Sequence, residues 1–134
     1  MPEAAQKIVA TVANFMTDVV EASNTKPVLV DFWAPWCGPC RQMAPGFEQA
    51  AAQLEPHVRL AKVDTDANPQ ISQAFQVQSI PAVHALRNGK VVASFVGAQP
   101  EREVRAFVEA LLPTPEQTEI ERLVAAGDEA SLRT

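Results

Sequence analysis

The chain has 134 residues, of which 47% are apolar and 20% charged, and these values are ordinary for a globular protein with one hydrophobic core. Its formal net charge of -5 argues against a nucleic-acid partner. No apolar run is long enough to span a bilayer, and the N-terminus does not read as a secretory signal. We therefore expect a cytoplasmic protein, in a compartment that keeps thiols reduced.

The first part of the chain predicts a strand, a helix and a second strand. Residues 8–12 form a candidate strand, and Asn14 is suited to cap a helix over residues 15–22. Residues 27–33 are a continuous apolar run that contains one acid. Such a run indicates a strand buried on both faces of a parallel or mixed sheet.

The middle of the chain continues this alternation. Strong helix formers extend from Cys40 to about Leu54, and Pro45 is expected to kink that helix. Residues 58–63 predict the next strand, and a turn leads from it into a helix near residues 70–75.

The last predicted elements of the domain are a hairpin and a helix. Asn88-Gly89 separates two apolar runs, residues 81–86 and 91–96, and this dipeptide is a strong hairpin signal. Residues 101–112 have the periodicity of an amphipathic helix. Alternating strands and helices followed by a hairpin predict an α/β fold, with a mixed sheet and helices on both faces.

Residues 113–134 form a separate predicted segment. Prolines at 113 and 115 break the preceding helix, and residues 116–126 have a new amphipathic pattern. We therefore expect one domain over residues 1–112 and a helical extension over residues 113–134. The extension is either a lone helix packed on the domain or the first piece of a tetratricopeptide-like repeat.

Cys37 and Cys40 are the two cysteines of the chain, and they lie where the apolar run meets the predicted helix. On a helical turn this spacing puts both sulfurs on one side, so they can form a disulfide. A helix N-terminus favours an anion, and Cys37 is therefore predicted to react as a thiolate. Pro39 limits the freedom of the loop, and Trp36 offers an apolar approach surface. We predict that Cys37 attacks a substrate disulfide and that Cys40, expected to be more buried, then releases the reduced substrate.

Two other interpretations of the pair are weaker. A zinc site needs about four ligands, and His57 and His84 lack ligand spacing to the cysteines. Inert buried cysteines do not account for the Gly38-Pro39 dipeptide at a helix start. We therefore predict a redox-active disulfide, with no metal and no cofactor.

The run VDFWAPWCGPC, residues 30–40, strongly resembles the thioredoxin family. The resemblance implies a thioredoxin fold, with a central mixed sheet of about five strands flanked by helices. It also implies a protein-disulfide reductase that acts on disulfide-containing proteins and receives electrons from thioredoxin reductase. It covers about residues 5–112 in family order and spacing, through the motifs Ala44-Pro45, Lys62-Val63-Asp64, Ser79-Ile80-Pro81, Arg87-Asn88-Gly89 and Val96-Gly97-Ala98.

The resemblance assigns catalytic roles to two residues outside the pair. Asp31 matches a buried aspartate that assists proton transfer at the second cysteine, and desolvation is expected to raise the pKa of such a carboxylate. A capping or turn acid is the alternative for Asp31. Lys62 matches a lysine near this aspartate, and a solvated lysine at a strand end is its alternative.

The resemblance also implies positions that contact substrate. Pro81 matches a cis-proline that faces the disulfide, and the backbone of Ile80 is expected to pair with an extended substrate. An ordinary proline at a strand start is the alternative for Pro81. The other substrate-binding positions implied in this way are Trp36, Gly38, Pro39, Gly97 and Ala98.

Three residues need separate comment. Ala82 departs from the threonine usual in the family, which weakens a local hydrogen bond and leaves the mechanism intact. His84 lies in a strand that the family fills with aliphatic residues, and we expect a sheet histidine with a satisfied partner. His57 is expected to be solvated.

Two functions are compatible with these residues. The first is the protein-disulfide reductase described above. The second is a redox-active co-chaperone, in which the predicted extension belongs to a repeat region that binds unfolded clients and chaperones.

Overall fold

The computed structural model describes residues 7–54, 57–112 and 123. Within these residues, five strands form one sheet in the order β1-β3-β2-β4-β5. β3 is parallel to β1 and β2, whereas β4 is antiparallel to β2 and β5. This mixed sheet confirms the predicted fold class. The strands are β1 (Lys7–Val9), β2 (Val28–Trp33), β3 (Arg59–Asp64), β4 (Ala82–Arg87) and β5 (Lys90–Val96).

Three α-helices are described: α1 (Gly38–Gln53), α2 (Pro69–Ala74) and α3 (Glu101–Glu109). α1 begins at Gly38 with Cys37 as its N-cap, in agreement with the helix N-terminus predicted at Cys37. Pro39 occupies one of its first two positions, where a missing N–H leaves no donor unpaired. Pro45 lies inside α1. None of these helices is long and apolar enough to cross a membrane.

Buried side chains cover both faces of the sheet, because successive residues of a strand point to opposite sides. In β2, Leu29 packs with residues of α1 and α3. Val28, Val30 and Phe32 pack instead with Val19 and with α2. The α1 face includes Met43, Phe47, Leu60, Val83, Val104 and Val108, and the α2 face includes Ala61, Val63, Ile71, Ala82 and Leu86.

The segment before β2 differs from the prediction. A π-helix over Met16–Glu21 and a 3-10 turn over Ala22–Asn24 replace the predicted α-helix. Asn14 does not cap this helix, because its side chain is used in the preceding loop, where Oδ1 accepts from the Thr11 N–H at 2.8 Å. The first strand ends at Val9 rather than at Val12, because the Val12 N–H donates to Oδ1 of Asn68 at 3.1 Å.

The hairpin between β4 and β5 confirms its sequence signal. Asn88 and Gly89 have φ angles of 56° and 76°, and two consecutive left-handed residues suit the tight turn predicted for this dipeptide. The buried Ser23 holds this turn, because its carbonyl oxygen accepts from the Asn88 N–H and its Oγ accepts from the Gly89 N–H.

The predicted helical extension over residues 113–134 lies outside the described residues, except for Leu123, which is helical and exposed. The domain boundary after residue 112 therefore stays a prediction.

Candidate active site

Cys37 and Cys40 form a disulfide directly after β2, with a Cα–Cα distance of 5.3 Å. Cys37 has an extended backbone and stands at the N-cap of α1, while Cys40 lies in the first turn of the helix. The Cys40 N–H donates to Sγ of Cys37 at 3.2 Å. The helix start therefore directs an N–H group at the sulfur that was predicted to react as a thiolate.

The two cysteines are almost equally buried. Cys37 is 3% exposed and Cys40 is 4% exposed, so the expectation that Cys40 is more buried is wrong. The reason is that both residues belong to one small cluster with Ala34, against which Trp33 and Ile80 pack. Their exposure therefore does not distinguish the two cysteines, whereas their positions at the start of α1 do.

The cis peptide bond implied for Ile80-Pro81 is present. Ile80 packs against the cysteine cluster, and Pro81 directly precedes β4. The Gly97 N–H donates to the Pro81 carbonyl oxygen at 2.8 Å, which brings the end of β5 to the same region. Gly97 has a φ of 94°, a conformation that glycine adopts without strain.

The exposed indole of Trp36 stands beside the disulfide loop, with 67% of the residue exposed. Its Nε1 donates to Oδ2 of Asp66 at 2.8 Å, a contact that the sequence analysis did not predict. Gly38 is half-buried, and Pro39 is exposed.

A groove of about 400 Å³ lies between Trp36 and Ile80. It is lined by both apolar and neutral polar side chains, the others being Thr65, Ser72, Val77, Gln78 and Ser79. Ala98 lines a different groove of about 360 Å³, which involves α1 and the start of α3. Of the predicted substrate-contacting residues, Trp36 and Ile80 thus line one groove and Ala98 lines the other.

Asp31 is a carboxylate inside the sheet, 3% exposed, and its Oδ1 is buried without a hydrogen-bond partner. Because it lies within β2, the alternative of a capping or turn acid is wrong. Burial raises the pKa of Asp31 from 3.8 to about 6; the Lys62 charge opposes this rise, and the Glu48 charge adds to it. This is the direction that desolvation is expected to give.

Lys62 stands opposite Asp31 in the register of β3 and β2. Its Nζ lies 2.7 Å from Oε2 of Glu48 on α1 and 5.1 Å from the ring centre of Trp33. The Lys62 side chain is 16% exposed, so the alternative of a solvated lysine is wrong. Glu48 is a further charged residue near Asp31, and the sequence analysis missed it because no local pattern marks how α1 lies on the sheet.

His84 occupies the other face of the sheet, where it packs against the rings of Phe32 and Phe75 at centre distances of 5.7 and 5.4 Å. Its Nδ1 is buried without a hydrogen-bond partner, so the expectation of a satisfied histidine is wrong. Desolvation lowers the pKa of His84. His57 is exposed, as expected. Within the described part of the chain, no cluster of three or more metal-ligating side chains could hold a metal ion.

Comparison with known proteins agrees with this geometry. The family model described as Thioredoxin matches residues 6–110. The chain belongs to the thioredoxin family. It is 45% identical over 97 residues to a thioredoxin of Mycobacterium bovis, which covers 72% of this chain and 82% of the relative. It is also 45% identical over 91 residues to thioredoxin 1 of Synechococcus elongatus, covering 68% of this chain and 83% of the relative.

The name of another relative indicates two activities in one chain. It is the bifunctional thioredoxin reductase/thioredoxin of Mycobacterium leprae, 46% identical over 92 residues, which cover 69% of this chain and 20% of the relative. Family membership and the Cys37–Cys40 pair make this thioredoxin-family protein a thiol–disulfide oxidoreductase that reduces protein disulfides.

Proposed function

We propose that Cys37 is the attacking residue of this reductase and Cys40 the resolving one. In the reduced protein, the Cys37 thiolate attacks one sulfur of a substrate disulfide, and the other substrate sulfur leaves as a thiolate that takes up a proton. The Cys40 thiolate then attacks Sγ of Cys37 and releases the second substrate sulfur. Two electrons pass to the substrate, and the Cys37–Cys40 disulfide remains. The observation that carries this assignment is Cys37 at the N-cap of α1, accepting from the Cys40 N–H.

Asp31 is the proton acceptor for the Cys40 thiol in this proposal. It lies on the same face of β2 as Leu29, the face that α1 covers, and its Oδ1 has no competing hydrogen bond. Its pKa of about 6 leaves it largely ionised at neutral pH, yet basic enough to receive a proton. Lys62 adjusts this pKa through its charge.

The substrate is an extended segment on either side of a cystine, and it lies across the site in contact with Trp36 and Ile80. The groove of about 400 Å³ between these residues supports this contact, because it is open and mostly uncharged. The Ile80 backbone pairs with the segment in front of Pro81. The remaining proposed contacts are Gly38, Pro39, Gly97 and Ala98.

The test compares the wild type with Cys37→Ser, Cys40→Ser and the double variant in the reduction of a protein disulfide such as that of insulin. Cys40→Ser is expected to accumulate a mixed disulfide at Cys37, because the resolving thiol is missing. Cys37→Ser and the double variant are expected to form no adduct and to show no reduction above background. Adduct formation by Cys37→Ser at the wild-type rate would contradict the assignment of the attacking residue.

Thioredoxin reductase is the proposed electron donor, and the cytoplasm is the proposed location. The support for the donor is the relative whose name joins both activities in one chain. Consumption of NADPH that depends on reductase, this protein and a protein disulfide together is the expected result. Immunoblotting of cell fractions tests the location. No observation favours the co-chaperone hypothesis, and we do not propose it.

A further inference from the structure

The ammonium group of Lys62 lies near the carboxylates of Asp31 and Glu48, and it forms its ion pair with Glu48. Asp31 is the register partner of Lys62 on the neighbouring strand. Even so, Lys62 Nζ makes its ion pair with Glu48 of α1, at 2.7 Å, while Oδ1 of Asp31 is buried without a hydrogen-bond partner. Among the described residues, the Lys62 ammonium thus forms its ion pair with Glu48 rather than with the buried acid.

We infer that Glu48 is a positioning residue, which holds the Lys62 ammonium on the α1 side and so keeps Asp31 without a directly paired cation. This inference rests on the proposed role of Asp31 as the proton acceptor for Cys40. Glu48 acts through Lys62 in this inference and is assigned no catalytic role.

The charges around Asp31 can be named from each element packed against it. β3 contributes Lys62, α1 contributes Glu48, and β4 contributes Val83, the apolar register partner of Asp31. Lys62 favours the ionised acid, whereas Glu48 and the buried surroundings disfavour it. Burial is the largest of these influences, and the position of the Lys62 ammonium modifies how basic Asp31 is.

A direct pair between Lys62 and Asp31 would weaken the base. An opposite charge in contact lowers the pKa of a carboxylate by about one to three pH units. A lowered pKa would make transfer of the Cys40 proton less favourable, since an effective base has a pKa near the working pH. Glu48 prevents this loss in two ways, by competing for the ammonium and by adding a negative charge of its own.

The test is a carbon-13 NMR titration of the Asp31 carboxyl in the wild type and in Glu48→Gln. Glu109→Gln is the matched control, because it makes the same charge change at an exposed position of α3. In Glu48→Gln the freed ammonium is expected to turn to Asp31 and lower its pKa by about one pH unit. In Glu109→Gln the pKa is expected to match the wild type. An unchanged Asp31 pKa in folded Glu48→Gln overturns the inference.

A double-mutant cycle separates positioning from the simple removal of a charge. If Glu48 acts mainly through Lys62, the effect of Glu48→Gln falls to less than about half in a Lys62→Met background. An effect of full size in that background overturns the positioning role. If Glu48→Gln does not fold, the Asp31 pKa measured in Lys62→Met tests the inference instead. The inference expects the Asp31 pKa to rise there by less than about one pH unit, and a larger rise would mean that Lys62 pairs directly with Asp31.

The pH profile of disulfide reduction is the functional readout. The acid limb for Glu48→Gln is expected to move to lower pH together with the Asp31 pKa. Asp31→Asn tells the two proposals apart. If its pH profile equals that of the wild type, the proposed role of Asp31 fails; if Asp31→Asn alters the profile while Glu48→Gln does not, only the role of Glu48 fails.

Discussion

Asp31 lowers the stability of the folded protein at neutral pH, because its ionised side chain is buried in the sheet. Its pKa rises from 3.8 to about 6 on folding, so the folded protein binds the proton more tightly than the unfolded chain. The stabilisation from proton binding is fully present below about pH 4 and is lost as the pH rises through about 6. A rise of this size corresponds to about 3 kcal/mol at neutral pH, taken as an upper bound.

Asp31→Asn is therefore expected to stabilise the oxidised protein at pH 7.5, by up to about 3 kcal/mol, and to have little effect at pH 3.5. Urea unfolding at the two pH values measures this difference. Glu109→Gln, an exposed carboxylate, serves as the control and is expected to show no such pH dependence. Equal destabilisation by Asp31→Asn at both pH values would contradict the burial cost.

The contribution of His84 to folding stability changes with pH in the opposite direction to that of Asp31. Because desolvation lowers its pKa, the unfolded chain binds the proton more tightly, and stability is lost as the pH falls below the ordinary value of 6.5. The substitution His84→Phe keeps an aromatic ring between Phe32 and Phe75, and it removes the unpaired Nδ1.

His84→Phe is expected to be more stable than the wild type, by about 1 kcal/mol at pH 5 and by less at pH 7.5. Thermal unfolding at both pH values measures the difference in stability between the two proteins. Asp31 is present in both, so its contribution cancels in this difference. His57→Phe, at an exposed position, is the control. A difference that shrinks as the pH falls would show that His84 does not resist protonation.

At the scale of elements, the sequence was most informative where a local pattern alone decides the backbone. Asn88-Gly89 predicted its hairpin because few other residues adopt two left-handed conformations in succession. The first helix was less well predicted. Asn14 is a good capping residue by type, yet its side chain bonds within the preceding loop, where Oδ1 accepts from the Thr11 N–H.

Ser23 links two elements that are distant in sequence. It is fully buried, and its Oγ donates to the Val20 carbonyl oxygen at 2.6 Å and accepts from the Gly89 N–H at 2.8 Å. Ser23→Ala leaves that N–H without its partner, and we expect a loss of about 1–3 kcal/mol in the free energy of unfolding.

Urea unfolding at neutral pH measures this loss. Thr25→Ala is the control, because the Thr25 hydroxyl makes one exposed hydrogen bond to the Ala22 carbonyl oxygen. Its effect is expected to be about 0.5 kcal/mol or less. A loss in Ser23→Ala no larger than that of Thr25→Ala would mean that the serine does not hold the hairpin.

At the scale of the whole molecule, α3 completes the cover of one sheet face. Val104 and Val108 are fully buried in the cluster that also contains Phe47 of α1. The thioredoxin family model ends at residue 110, within one turn of the end of α3.

A chain that ends at Leu112 is therefore expected to fold and to reduce protein disulfides within about twofold of the rate of the 134-residue chain. Circular dichroism and the protein-disulfide assay check this prediction. A chain that ends at Gly97, before α3, is the control and is expected not to fold, because Val104 and Val108 would no longer cover the sheet beside α1. An unfolded or inactive 1–112 chain would show that residues 113–134 belong to the domain.

The sequence by itself determined the features that depend on neighbouring residues: the order of the strands and helices after β2, the disulfide, the hairpin, and a buried acid in an apolar strand. The tertiary structure decided which distant groups meet. Glu48 reaches Lys62 and Asp66 reaches Trp36 across separate elements, and His84 loses a hydrogen-bond partner between two rings. These contacts depend on how helices lie on the sheet. Packing of the whole core fixes that arrangement, and no short stretch of sequence encodes it.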